Sequence, residues 1–207
     1  MKNKMIGVLM GGLSTERDIS MTSGAAVSAA LRARGYRVVD IDVGRDLPAK
    51  LVQAGVQVAW LALHGRFGED GCVQGLLEVM GIPYTGSDVL SSSVAMDKAA
   101  TKRVVAGLQD VVLAADIEIR RGEALPDVLP NGGVVKPVVG GSTIGIRVEQ
   151  TEAGVRDAVA AALMLDPVVI VEEYVAGDEI TVAVLDGQAL PVVRILPESG
   201  FFDFEAK

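Results

Sequence analysis

Apolar and polar positions alternate in two rhythms along the chain, and the change of rhythm divides it. Residues 5–10, Met-Ile-Gly-Val-Leu-Met, form an unbroken apolar run, the pattern of a strand buried on both faces. Ile19, Ala26, Val27, Ala30 and Leu31 then recur at helical spacing up to Gly35, with Ser14 or Thr15 placed to cap that helix. Residues 37–43 and 57–63 are β-rich and apolar again, and residues 73–80 return to a helical pattern that Glu69 or Asp70 is placed to cap. Residues 82–87 read as a short extended segment with a turn, and residues 89–108 as helical material. Strands alternating with helices predict a parallel sheet, whose ligands gather at the carboxyl ends of its strands.

Beyond residue 108 the rhythm shortens. Residues 109–121 read as a strand and turn, and residues 123–133 as a loop marked by Pro126, Pro130 and Asn131-Gly132. Val134 and Val135 end a buried strand that delivers Lys136, and Pro137 is expected to stop its ladder. Residues 144–148 form a strand, residues 151–165 an alanine-rich helix capped by Thr151, and residues 168–171 a buried strand. Glu172 and Glu173 follow at its end and point to opposite faces, so only one serves any single pocket. Residues 180–185 and 189–196 pair as a hairpin around Asp186-Gly187. This second part is antiparallel-rich, with helices to one side.

With 207 residues, half of them apolar, the chain is long enough for one large domain or two small ones. A net charge of −8 and no concentrated basic face argue against a nucleic-acid partner. Cys72 is the sole cysteine and His64 the sole histidine, which excludes a disulfide framework and a thiolate or imidazole metal cluster. The apolar run at 5–10 is too short for a signal sequence or a membrane span, so a cytoplasmic protein with no membrane partner is expected.

Two stretches concentrate chemistry. In Val135-Lys136-Pro137-Val138-Val139-Gly140-Gly141-Ser142-Thr143-Ile144-Gly145 a strand delivers a cation into a glycine loop with two hydroxyls. Such a loop can aim backbone N–H groups at a phosphate, although the same residues also read as a hairpin with a polar glycine turn. His64-Gly65-Arg66-Phe67-Gly68-Glu69-Asp70-Gly71 packs an imidazole, a guanidinium and two carboxylates among three glycines. It reads as a site or as an exposed turn that caps a helix, and a lone histidine at a strand end is commonly a hydrogen-bonded structural residue. Lys98 reads as a solvated helix lysine or as a phosphate ligand.

These stretches, with Gly11-Gly12-Leu13-Ser14-Thr15-Glu16-Arg17, Tyr84-Thr85-Gly86-Ser87, Met96-Asp97-Lys98 and Glu179-Ile180-Thr181-Val182, closely resemble the D-alanine–D-alanine ligase family of the ATP-grasp superfamily, in order and spacing across the whole chain. The resemblance implies an α/β N-terminal domain with a parallel sheet (1–86), a central α+β ATP-grasp subdomain (87–184) and a third domain only begun (185–207), with ATP between the last two. It implies ligation of two D-alanines through an acyl phosphate, for peptidoglycan precursors. Glu16 would face the ammonium of the first D-alanine and His64 its carboxylate, while Ser142 would bond Glu16 and help fix the loop and second substrate; Glu16 and Ser142 are thereby the catalytic candidates. Lys98 and Lys136 would hold the ATP phosphates under a loop containing Gly141, Ser142 and Thr143. Glu172, Glu173, Val175 and Glu179 would take the base and ribose, and Lys207 would reach the γ-phosphate. The family also implies a homodimer, and Mg²⁺ or Mn²⁺ held by none of these residues.

Two departures matter. Gly140 stands where the family usually carries a carboxylate or other polar residue, and relatives continue beyond Lys207 for roughly another third of their length. That further part would supply the metal ligands, an arginine and a substrate serine, so these 207 residues alone are expected not to complete the reaction, and to leave apolar sheet surface exposed over residues 180–196. Alternatives are a D-alanine–D-lactate or D-alanine–D-serine ligase and a non-catalytic ATP-binding module. A dinucleotide-binding oxidoreductase fits poorly, because Gly7-Val8-Leu9-Met10-Gly11-Gly12 lacks the G-x-G-x-x-G spacing.

Overall fold

The computed structural model describes residues 2–141 and 143–196, and its chain divides into two compact units, Met1–Thr101 and Lys102–Lys207. In the first unit β1 (Met5–Gly11), α1 (Arg17–Ala33), β2 (Arg37–Val43), α2 (Leu47–Gln53), β3 (Val58–Leu61), α3 (Cys72–Val79) and α4 (Val89–Met96) follow one another. The sheet is parallel, in the order β2-β1-β3, and a parallel bridge from Ala59 to Tyr84 adds the extended segment at its edge. Its central strand explains the unbroken apolar run. Ile6, Val8 and Met10 alternate into one core with Met21, Val27 and Leu31 of α1, while Leu9 points to the other face, against Leu51 of α2 and Leu77 of α3.

The division falls inside α5 (Lys98–Val105). What read as one helix over residues 89–108 is two. Asp97 leaves the helical conformation (ψ 106°), and its carboxylate accepts from Ala100 N at 2.7 Å, so it ends α4 and starts α5.

The second unit holds β4 (Asp116–Arg120), β5 (Gly133–Pro137), β6 (Arg147–Glu149), α6 (Glu152–Leu165) and β7 (Val168–Glu172), which form an antiparallel sheet in the order β4-β7-β5-β6. Period-two alternation assigns its faces. Ile119, Val135, Val169 and Val171 point toward Val155, Ala158, Val159 and Ala162 of α6, and burial of these side chains holds the layer together. Thr151 caps α6 as read from the sequence, accepting from Gly154 N. Pro137 does not end the pairing: Val138 N still donates to Val168 O at 3.0 Å. Proline has no N–H to contribute, but the next residue does.

Four short strands follow: β8 (Glu179–Thr181), β9 (Val184–Leu185), β10 (Gln188–Ala189) and β11 (Val193–Ile195). β9 and β10 make the expected hairpin, with Asp186 and Gly187 both at positive φ (49° and 76°), and β8 pairs with β11. Ile180, Val184, Leu185, Val192 and Val193 are exposed along them. Among the described residues no helix is long and apolar enough to cross a membrane.

Candidate functional site

Two clusters carry the candidate chemistry, one in each unit. The first stands at the carboxyl ends of β1 and β3. Ser14 does not cap α1: its hydroxyl donates to His64 O at 2.8 Å and accepts from Glu16 N at 3.2 Å, while Glu16 occupies the cap position and makes no side-chain cap bond. One hydroxyl thereby ties the two loops together. Glu16 is delivered directly beside Gly65, whose φ is +66°; a Cβ placed there would lie 2.6 Å from Glu16 Oε2. The His64 ring lies between a hydroxyl and a carboxylate, with Nε2 3.4 Å from Ser23 Oγ of α1 and Nδ1 3.7 Å from Glu69 Oε1.

The acidic pair of this loop pins its backbone. Glu69 Oε2 accepts from Gly65 N at 2.7 Å, and Asp70 accepts from Phe67 N at 2.9 Å and from Cys72 N, the first N–H of α3, at 3.1 Å. The cap position of α3 is Gly71, so Asp70 reaches the helix from one residue further back and Glu69 does not cap it. At Gly68 an added Cβ would fall 2.4 Å from Leu63 Cβ, so the loop folds back against Leu63, just past β3, with no room for a side chain. The sequence reading thus brought Glu16 and His64 to one place, and the structure adds Ser14, Ser23 and Glu69 as their supports.

The second cluster lies on the face of the antiparallel sheet opposite α6. Glu172 stands opposite Asp116 across the β4–β7 pairing and opposite Val134 across β5–β7, and Lys136 stands opposite Ile170, two residues along on the same face. Lys136 Nζ donates to Glu172 Oε2. Lys102 Nζ, from α5, donates to Glu172 Oε1 at 2.8 Å, to Asp116 Oδ1 at 2.6 Å and to Ala114 O at 2.6 Å. The side chains of Glu172 and Lys102 are only 11% and 15% exposed, so these pairs are largely withdrawn from water. Burial by itself pushes the Glu172 carboxyl up, but the bonds from Lys102 and Lys136 outweigh it and hold the group below its usual value. Burial likewise disfavours the charged Lys102, and its bonds to Asp116 and Glu172 more than reverse that.

The remaining candidates spread along the second unit. Glu173 turns away from Glu172, as alternation requires, and its Oε1 accepts from Ala115 N at 3.0 Å. Val175 and Glu179 are exposed, Glu179 opening β8 opposite Ile195 of β11. Gly141 leads into a tight turn in which Ile144 N donates to Gly141 O and Ile146 N to Thr143 O, with Thr143 at φ +62°. Asp166, which the sequence reading passed over, anchors the approach to this turn: its carboxylate accepts from Val139 N and from Val168 N, both at 2.8 Å. Lys98 opens α5 in the first unit. Ser142 and Lys207 lie outside the described residues.

Lys102 and Asp116 also went unnoticed in the sequence, because nothing local to either residue signals the strand pairing that joins them to Glu172. Among the described residues no group of three or more His, Cys, Asp or Glu side chains is arranged to hold a metal ion. An open groove beside β2 and α2, lined by Asp40, Asp42 and Lys50, contains neither cluster, and its carboxylates are taken by Arg32 and Arg17.

Comparison with known proteins bears on both units. A family model described as the D-ala D-ala ligase N-terminus matches residues 46–87, and one described as the D-ala D-ala ligase C-terminus matches residues 124–207. The chain is 50% identical, over all of its length and 68% of the relative's, to a D-alanine–D-alanine ligase of Syntrophotalea carbinolica. It is 48% identical to one of Citrifermentans bemidjiense, again over 68% of the relative. A D-alanine–D-alanine ligase of Bacillus anthracis, solved in complex with ATP, superimposes with a TM-score of 0.85 at 34% identity, over 96% of this chain and 68% of that one.

Proposed function

Since the chain belongs to the D-alanine–D-alanine ligase family, whose members couple ATP to the joining of two D-alanines for peptidoglycan precursors, we propose that its two clusters divide that reaction between them. The first cluster takes the first D-alanine: the Glu16 carboxylate complements the substrate ammonium, and the His64 ring sits by the substrate carboxylate. The second cluster, with Lys98, takes ATP. Lys136 turns its ammonium to the phosphates, Glu172, Glu173, Val175 and Glu179 meet the base and ribose, and Gly141, Ser142 and Thr143 cover the phosphates.

The substrate carboxylate oxygen attacks the γ-phosphorus and the bond to the β,γ-bridging oxygen breaks, which yields ADP and an acyl phosphate. The neutral amine of the second D-alanine then attacks the acyl carbon, and the tetrahedral intermediate expels inorganic phosphate as the amine loses a proton. Fixed cations around the transferring group stabilise the charge that shifts in the first step, which is the task given to Lys98, Lys136 and Lys207. In the second step Ser142 is given the task of fixing the second substrate. Magnesium neutralises phosphate charge in this chemistry; among the described residues no ligand set fits it, and no step is assigned to it.

The observation that carries the reading is the Lys136–Glu172 pair, a partly buried ion pair standing at the head of a glycine-rich turn. We extend the reading to a cytoplasmic homodimer, with an N-terminal domain over residues 1–86, a central subdomain over 87–184 and a third domain beginning at 185. Phosphate release from ATP with D-alanine, measured on these residues joined to the C-terminal third that the relatives carry, tests the chemistry. Lys136→Met is expected to abolish it, and Glu16→Gln to raise the KM for D-alanine without weakening ATP binding. Wild-type turnover in Lys136→Met would overturn the assignment.

A further inference from the structure

Lys102 has no part in the division of labour above, yet it is the second cation on Glu172. Its ammonium carries three protons, and the structure supplies three acceptors for them: Ala114 O, Asp116 Oδ1 and Glu172 Oε1. Lys136, by contrast, meets a single carboxylate oxygen among the described residues, Glu172 Oε2. Among the described residues one lysine is saturated and the other is held by one contact. The pairing of β4 with β7 sets Asp116 directly opposite Glu172, so two carboxylates face each other across neighbouring strands and repel unless a cation stands between them. Lys102 is that cation.

We propose that Lys102 is a positioning residue: it locks Glu172 through Oε1, so that Lys136 can leave Oε2 for a nucleotide phosphate. The inference rests on the nucleotide reading of Lys136. Its physical basis is the cost of an uncompensated buried charge. If Lys136 were the only partner of Glu172, turning it toward a phosphate would strand a carboxylate that is almost wholly withdrawn from water, and that cost would hold Lys136 in its resting pair. With Lys102 in place the carboxylate keeps a charge-assisted bond throughout. A lysine that merely fastens α5 to the sheet would show none of this coupling to ATP.

The test measures kcat, KM for ATP and KM for D-alanine on these residues joined to the C-terminal third that the relatives carry, alongside thermal stability. Lys102→Met is expected to raise the KM for ATP by roughly tenfold or more, with the KM for D-alanine unchanged, as expected when a buried ion pair loses one partner. Asp116→Asn leaves Lys102 on Glu172 and should raise the ATP KM less. If Lys102→Met does not fold, the Lys102→Met/Asp116→Asn double variant removes the facing repulsion as well, and it is expected to fold with the ATP KM still raised. A wild-type ATP KM in either folded Lys102 variant overturns the proposal, as does an equal rise in both KM values. Lys136→Met separates the two levels. Weakened ATP binding there with wild-type binding in Lys102→Met sinks this inference alone, whereas unaltered binding in Lys136→Met sinks the nucleotide reading beneath it.

Discussion

The two clusters are built by opposite means. In the first unit the backbone makes the site: glycines at positive φ, a serine hydroxyl bridging two loops and carboxylates accepting main-chain N–H groups bring Glu16 and His64 together. In the second, side-chain charge on a regular sheet makes it, and strand register alone decides that Lys136, Glu172 and Asp116 share a face. A backbone-built site is sensitive to what a loop can sterically accept. A register-built site is sensitive to charge.

That contrast predicts how each breaks. The largest effect is expected from Glu172→Gln, which takes the shared counter-charge from partly buried Lys136 and leaves Lys102 with Asp116 alone; urea unfolding should show a loss of about 3 kcal/mol, the low end for removing one partner from a buried pair. An undiminished midpoint would show that the cluster does not support the fold.

Acid should reproduce part of that loss without mutation. The carboxyl of Glu172 lies below its ordinary value of 4.5 in the folded protein, because the lysine bonds outweigh burial, and it returns to that value on unfolding. Its stabilisation is therefore fully present above the unfolded pKa and is lost as pH falls through the lower, folded one. Asp40 and Asp42 shift the same way, Asp40 because bonds from Ser28 and Arg32 overcome burial, and Asp42 through its bond to Arg17. Their pairs are nearly half exposed and contribute little. Stability measured against pH should thus fall at the acid end in wild type and less steeply in Glu172→Gln; parallel curves would assign the acid loss to other groups.

A smaller change, Gly65→Ala, tests the first cluster. It places a Cβ against the Glu16 carboxylate at a positive φ, so it should cost about 1–3 kcal/mol of stability and raise the KM for D-alanine, leaving ATP binding intact. Equal damage to both substrates would erase the distinction between the clusters. The smallest effect is expected from Thr151→Ala, which removes the cap of α6 away from the charged face. A loss of about 1 kcal/mol in unfolding experiments, with both KM values unchanged, provides the reference for second-unit stability alone.

Where an element depends on nearby residues, the sequence was legible. The apolar run of β1, all of β2, the Thr151 cap of α6 and the Asp186-Gly187 hairpin follow from periodicity and turn chemistry, each decided within a few residues. The Asp97 break was missed because a continuous helical pattern conceals one carboxylate that caps forward. Ser14 was assigned to a cap because a serine before a helix usually finds its partner in that helix, and here His64 O, fifty residues on, competes for the hydroxyl.

By itself the sequence determined the alternation of buried and solvent-facing positions, the two rhythms of the chain and the motifs that place it in its ligase family, since these are local patterns of side-chain type. Tertiary structure alone decided which charges meet. Lys102 to Glu172 spans seventy residues and Asp116 to Glu172 fifty-six, and their contact is set by the pairing of β4 with β7, whose hydrogen bonds join backbones whatever their side chains. A one-residue slip in that pairing would turn Asp116 to the face packed by α6 and leave Lys102 without one of its acceptors, so the charge network is a consequence of register, which no single stretch of sequence displays.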